Sequence, residues 1–166
     1  MNKRVVQWTV ILAVALIGTA VAVPAYPQEP QMDENFLLLM GARNATKMGN
    51  HNLAIIRYRR LLEGSPTLYD ARRELGWALI AAGRISEAEE QFQSVLHAHP
   101  RDTESWKGLL EAGRKSGKRN EIVQALERLV ELEPKRRDLR MQLALELHNR
   151  GRFAEAEQHI AVLLGE

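Results

Sequence analysis

Residues 69–102 read YDARRELGWALIAAGRISEAEEQFQSVLHAHPRD, and this stretch decides the fold. Between Asp70 and Ala82, the residues Ala71, Leu75, Ala78 and Leu79 recur at helical spacing and form one apolar face. Gly83 stops that helix, because glycine adopts the left-handed conformation that closes a helix C-terminus. Ser86, with Glu89 three residues later, has the form of a capping box that opens a second helix. Ala88, Phe92, Val95 and Leu96 supply the buried face of this second helix, and Pro100 prevents its continuation.

The same plan recurs on either side. Pro66, Pro100 and Pro134 are 34 residues apart, and Gly49, Gly83, Gly117 and Gly151 keep the same interval. In that register Leu75, Leu109 and Leu143 coincide, as do Ala54, Ala88 and Ala156. Tyr58, Phe92, Leu126 and Ile160 fill another column, and Leu61, Val95, Leu129 and Leu163 a further one. A fixed period of this length marks a repeat architecture.

The pattern resembles the tetratricopeptide repeat family. The second unit carries the resemblance best, through Leu75, Gly76, Gly83, Ala88, Phe92 and Pro100, and Trp106 stands where the family has an early tryptophan. The resemblance implies an all-α fold: a right-handed α-solenoid of four helix-turn-helix repeats over 35–68, 69–102, 103–136 and 137–166. The paired helices of each unit should cross closely at small residues, Ala42 with Ala54, Gly76 with Ala88, and Ala144 with Ala156. The third unit departs from this with Leu110 and Ile122, so irregular curvature is expected there, with Gly113 one turn on to compensate for the bulk. Trp106 is expected in the core.

The N-terminus reads differently. Lys3 and Arg4 precede an apolar run from Val10 to Val23 and small residues at Ala20, Ala22 and Ala25. Residues 1–25 therefore read as a secretory signal peptide or, with Val5 and Val6 included, as a signal anchor spanning the inner membrane through residues 5–23. Either reading exports the remainder, so the expected location is the periplasm, soluble or tethered. Residues 26–34 read as a linker, since Pro24, Pro27 and Pro30 keep the three-residue spacing of a polyproline II segment.

Composition narrows the functional classes. Cysteine is absent, which removes disulfides, cysteine metal sites and thiol catalysis. The net charge of +2 is accounted for by Lys3 and Arg4, so the repeat region is neutral and has no electrostatic reason to bind nucleic acid or an anionic membrane surface. No phosphate-binding glycine loop, nucleophile elbow or zinc-binding histidine pair occurs. His97 and His99 read as a solvated pair at a helix end, and Glu87, Glu89 and Glu90 as exposed acids at a helix start. No enzyme, cofactor or metal is expected.

A binding surface is the better expectation, because stacked helix pairs create an extended concave face. In the family that face is lined by the first helix of each unit. Carried over, the lining is Leu39, Arg43 and Lys47; then Asp70, Arg73, Glu74, Trp77 and Ala81; then Lys107, Glu111, Arg114 and Lys115; then Met141, Leu145 and His148. Trp77 lies roughly 200 degrees around its helix from core Leu75, and it reads either as a peptide anchor or as packing against a neighbouring unit or the N-terminal segment. Leu39, Arg43 and Glu74 stand where chaperone adaptors of the family carry a basic and amide clamp, which argues against carboxylate-terminal recognition. Helical solenoids usually need a polar capping helix. The edge formed by Ile160, Leu163 and Leu164 is therefore expected to self-associate or dock a partner. Taken together, the expectation is a bacterial envelope scaffold that binds envelope proteins or peptides, in secretion, polysaccharide export, pilus or cell-wall assembly. The alternative is a self-assembling structural protein pinned to the inner membrane by its N-terminal helix, a possible homo-oligomer.

Overall fold

The computed structural model describes residues 33–165, and they form four consecutive helix pairs. The first pair is α1 (Glu34–Lys47) and α2 (His51–Gly64), and the second is α3 (Tyr69–Ala81) and α4 (Ile85–Ala98). The third is α5 (Thr103–Ser116) and α6 (Arg119–Leu132), and the fourth is α7 (Arg137–Asn149) and α8 (Phe153–Leu164). Within each pair the two helices pack on one another, and the second helix of every pair packs on the first helix of the next. This is the expected solenoid of four repeats. The signal or anchor segment and the proline-spaced part of the linker lie outside the described residues. Asp33 and Glu34, assigned to the linker, instead begin the domain: Asp33 caps α1, its carboxylate accepting from the Asn35 N–H at 3.0 Å. Among the described residues no helix is long and apolar enough to cross a membrane.

The periodic glycines divide each pair. Gly83 and Gly117 have φ of +77° and +71°, in the left-handed region that costs other residues about 1–2 kcal/mol. The expected capping box at Ser86 does not form. The helix begins earlier, at Ile85, so Ser86 is already inside its first turn, and Arg84 at the N-cap makes no side-chain cap bond. Arg84 instead forks onto Glu87, at 2.6 and 2.7 Å. Glu89, expected to be exposed, is buried and holds Lys118 at 2.6 Å.

The small-residue crossings are present. Ala42, Ala54, Gly76, Ala88, Ala144 and Ala156 are all buried. In the third pair Leu110 and Ile122 are buried in their place. Gly113 makes the room, since a Cβ there would stand 3.1 Å from Ile122 Cγ1. The junction that follows, between α6 and α7, is the sparsest of the three, and a cleft lined by Ile122, Arg119 and Glu146 opens beside it.

Two expectations about the core need correction. Trp106 is only half-buried: its indole N–H donates to the Pro100 carbonyl at 2.9 Å, and the Arg128 guanidinium lies 5.8 Å over its ring. The same column holds Arg72 and Arg140, which reach back to the carbonyls of Pro66 and Pro134. Trp106 therefore performs the column's bridging task, because its N–H needs an acceptor and the nearest one lies at the surface. Leu163 belongs to the core and not to the outer edge. Like Leu61, Val95 and Leu129 it is buried within its own repeat, while Ile160 and Leu164 remain exposed.

Candidate protein-binding face

The first helices α1, α3, α5 and α7 carry the recesses in which the expected site residues lie. The first recess is lined by Arg43, Asp70, Arg73, Glu74, Trp77 and Glu104. The second is lined by Trp77, Lys107, Glu111 and Arg114 together with Ile80, Leu110, Leu139, Arg136 and Asp138, among others. Trp77 borders both. Lys47 and His148 line neither; His148 is exposed and meets Phe153 edge-on at 5.0 Å.

Several of the charges expected to face a ligand are engaged with other side chains of the protein. Arg43 on α1 forks onto Glu74 on α3, with Nη2 to Oε1 at 2.6 Å and Nε to Oε2 at 3.0 Å. The Tyr58 hydroxyl from α2 donates to the same carboxylate at 2.7 Å. Burial alone would raise the pKa of Glu74, but the hydrogen bonds from Arg43 and Tyr58 and the charges of Arg43 and Arg73 outweigh it and hold the carboxyl below its ordinary range. Burial, with Glu74 alongside, pushes the Tyr58 phenol well up. Arg73 reaches Asp102, the N-cap of α5, at 2.7 Å and also pairs with Asp70. Lys107 bridges Glu104 at 2.9 Å and Glu133 at 3.1 Å, and the Glu104 bond leads in raising its pKa. Arg43 thus ties α1 to α3 and Arg73 ties α3 to the start of α5, whereas Lys107 pairs within the third repeat.

The second recess differs. Its floor is apolar, made by Trp77, Ile80, Ala81, Leu110 and Leu139. Trp77 is half-buried, its ring edge-on to Phe92 of its own repeat at 5.5 Å, and it also borders the recess. On the rim, Arg114 donates to the neutral Gln142 at 2.6 Å, and Lys115 only approaches Glu111 at 3.6 Å. Lys107, Arg114, Lys115 and Arg136 outnumber Glu111 and Asp138 there. Sequence reasoning missed Tyr58, which was read only as core. The need of its hydroxyl for a partner was the available signal. It also missed Asp102, Glu133 and Gln142, which sit at or near the start of the following repeat.

His97 is exposed at the end of α4, and His99 at its C-cap meets Tyr69 edge-on at 4.5 Å. Among the described residues no three His, Asp or Glu side chains converge as a metal site.

Comparison with known proteins agrees with this architecture. Residues 45–112 match the tetratricopeptide repeat family profile. Over 96 residues, 56% of this chain, the sequence is 33% identical to the mouse (Mus musculus) interferon-induced protein with tetratricopeptide repeats 3, and the match spans only 24% of that relative. Among solved structures, MamA from Desulfovibrio magneticus RS-1 superposes with a TM-score of 0.66 at 17% identity, covering 79% of this chain and 74% of MamA. A tetratricopeptide repeat protein from Parabacteroides merdae gives 0.69 at 16% identity, covering 76% of this chain and 50% of its own. At these identities the solved structures speak for the fold alone. Residues 45–112 therefore carry tetratricopeptide repeats, and the helix pairs on either side continue the same fold. Such a scaffold supports a role in protein–protein interaction.

Proposed function

We propose that this chain is a non-enzymatic adaptor that grips a segment of a partner protein in the recess between Trp77 and Leu139. The observation that carries the reading is the combination there of an apolar floor with a rim on which basic side chains are in excess. It suits a peptide presenting one apolar side chain for the Trp77 wall and an acidic residue for Arg114 or Lys115. The first recess is less suited, because Arg43 and Glu74 already satisfy each other. The N-terminal segment, read from sequence as a signal or anchor, supports an envelope location, and with it a partner in secretion, polysaccharide export, pilus or cell-wall assembly.

Crosslinking in intact cells followed by mass spectrometry tests this, comparing the native chain with Trp77→Ala and Arg114→Glu. Arg114→Glu changes an exposed side chain and leaves the packing of Phe92 alone. Both variants should lose the same partner, with affinity falling about 10-fold or more, as for the loss of a central interface anchor. Capture that survives both substitutions places the partner elsewhere. Mapping the N-terminus of the protein recovered from each cell fraction tests the envelope location.

A further inference from the structure

Each internal junction of the solenoid is built from the same positions, and the two ends of the repeat array carry the unmatched halves. In the column Tyr58, Phe92, Leu126 and Ile160, the first three are at most 1% exposed and Ile160 is 40% exposed. In the column Leu62, Leu96, Val130 and Leu164, exposure is at most 9% until Leu164, at 70%. The opposite end mirrors this. Leu37 is 48% exposed, although its equivalents Ala71, Ser105 and Leu139 are 5% or less. Among the described residues nothing covers Leu37, Ile160 or Leu164 as their equivalents are covered.

The internal junctions also show which positions meet. Tyr58 donates to Glu74, and the Phe92 ring presses on Gly108, so the column of Ile160 faces the column of Met40. Arg43 pairs with Glu74, so the column of Leu145 faces the column of Met40 as well. Leu145 and Met40 are 59% and 48% exposed. Both partners of an internal ion pair are thus replaced by apolar residues, one at each end of the array. A change on one side alone would leave a charge facing an aliphatic chain. The matched change makes the two end faces complementary to each other.

We propose that a second copy of this chain occupies each end face, the α7–α8 end of one copy docking on α1 of the next and repeating the internal junction. Ile160 and Leu145 pack on Met40, and Leu164 is buried by the same docking. The contact is heterologous, joining different surfaces of the two copies, and each docked copy presents a fresh end. Association therefore proceeds along the solenoid axis as an open chain and not as a two-fold dimer. This goes beyond the partner-binding role, since it uses the ends of the array and leaves the recess at Trp77 free.

The absence of native cysteine makes a direct test possible. Two differently tagged full-length chains, one carrying Met40→Cys and the other Ile160→Cys, are mixed and oxidised. Disulfide-linked heterodimers are expected in the mixture, well above the homodimers of either variant alone. A chain carrying both substitutions should give a ladder of covalent oligomers. Leu145→Asp with Leu164→Asp, both at exposed positions, should weaken association about tenfold or more by burying charge, with the thermal unfolding profile retained. Homodimers as abundant as heterodimers would indicate symmetric pairing and overturn the proposal. So would a monomer at high concentration whose two cysteines both react freely with maleimide. Protection of the Met40→Cys thiol in a dilute monomer would overturn it too, showing that residues 1–32 of the same chain cover α1.

Discussion

Phe92 lies so close to Gly108 that a methyl group on the glycine would meet the ring at 2.4 Å. Gly76, in the same repeat as Phe92, is nearly as tight at 2.6 Å, so the ring is held between two helix backbones. Gly108→Ala brings a helix-propensity gain of up to ~1 kcal/mol, set against an overpacking cost of about 1–3 kcal/mol. The ring cannot swing out into solvent, because Phe92 is fully buried, and Gly76 closes on it from the other side. Urea unfolding should show a net loss of about 1–2 kcal/mol on these terms. Gly64→Ala serves as the control, since its added Cβ meets nothing closer than Asn35 Oδ1 at 3.9 Å. A Gly108→Ala protein as stable as the native one would mean that the second and third repeats are less tightly joined than described.

Glu89 occupies a column that holds Ile55 in the first repeat and Val123 in the third, both buried, and the exposed Glu157 in the fourth. One carboxylate oxygen holds Lys118, while Oε1 is buried with no hydrogen-bond partner. Replacing a buried ionic group by an apolar one of suitable size is often neutral or stabilising, by about 1–4 kcal/mol, whereas removing its counter-charge is costly. Glu89→Val should therefore raise the urea midpoint or leave it unchanged. Lys118→Met should lower it, since the carboxylate then stays buried and unpaired. The reverse order of the two midpoints would contradict this account.

The fold was legible because its determinants are periodic. Gly83 and Gly117 each need a left-handed backbone at the same point of the unit, and Phe92 and Leu126 fill the same buried position, so each repeat corroborated the others. What the sequence hid is what differs between repeats. Trp106 looked like core because it stands in the family's buried aromatic column, yet here that column is defined by a bond to the proline carbonyl six residues earlier, a task that Arg72 and Arg140 perform with a different side chain. The candidate site was half legible for a similar reason. The family resemblance placed Arg43, Glu74 and Trp77 on one face, but that Arg43 and Glu74 neutralise each other depends on the distance between adjacent repeats, which no single-helix pattern contains. Leu163 and Leu164 differ in burial because one turns toward its own repeat and the other outward, as their equivalents Leu129 and Val130 turn toward their own repeat and the following one.

Trp106 yields its own prediction. Trp106→Phe keeps an aromatic surface but removes the N–H that bonds Pro100 and weakens the contact with Arg128. Both interactions are partly solvated, so the cost should be about 1 kcal/mol, well short of the 3–5 kcal/mol typical of emptying a core aromatic site. Phe92→Ala should show the larger value. Equal losses from the two substitutions would restore Trp106 to the core.

Acid should destabilise this protein in two stages, and the sign follows from two depressed pKa values. Burial lowers the pKa of His159, the charge of Arg140 lowers it further, and Glu127 and Glu155 offset only part of this. The geometry agrees, since Arg140 Nη1 lies 3.4 Å from His159 Nδ1, a contact that requires the neutral ring to accept. A group whose pKa folding depresses contributes stability above its unfolded value and loses it as pH falls. His159 should therefore begin to cost stability below about pH 6.5, the ordinary histidine value. Glu74 is depressed as well, so its contribution is full at neutral pH and fades below about pH 4.3, as protonation breaks the fork from Arg43 and the bond from Tyr58. Urea unfolding across pH 3 to 8 on the native chain, His159→Gln and Glu74→Gln separates the two stages. His159→Gln should flatten the curve between about pH 6.5 and 5, and Glu74→Gln should lower stability at neutral pH while shrinking the loss at the acid end. A native curve that is flat from pH 7 to 5, or one that His159→Gln leaves unaltered, would remove His159 from the account and leave the acid response to the carboxylates alone.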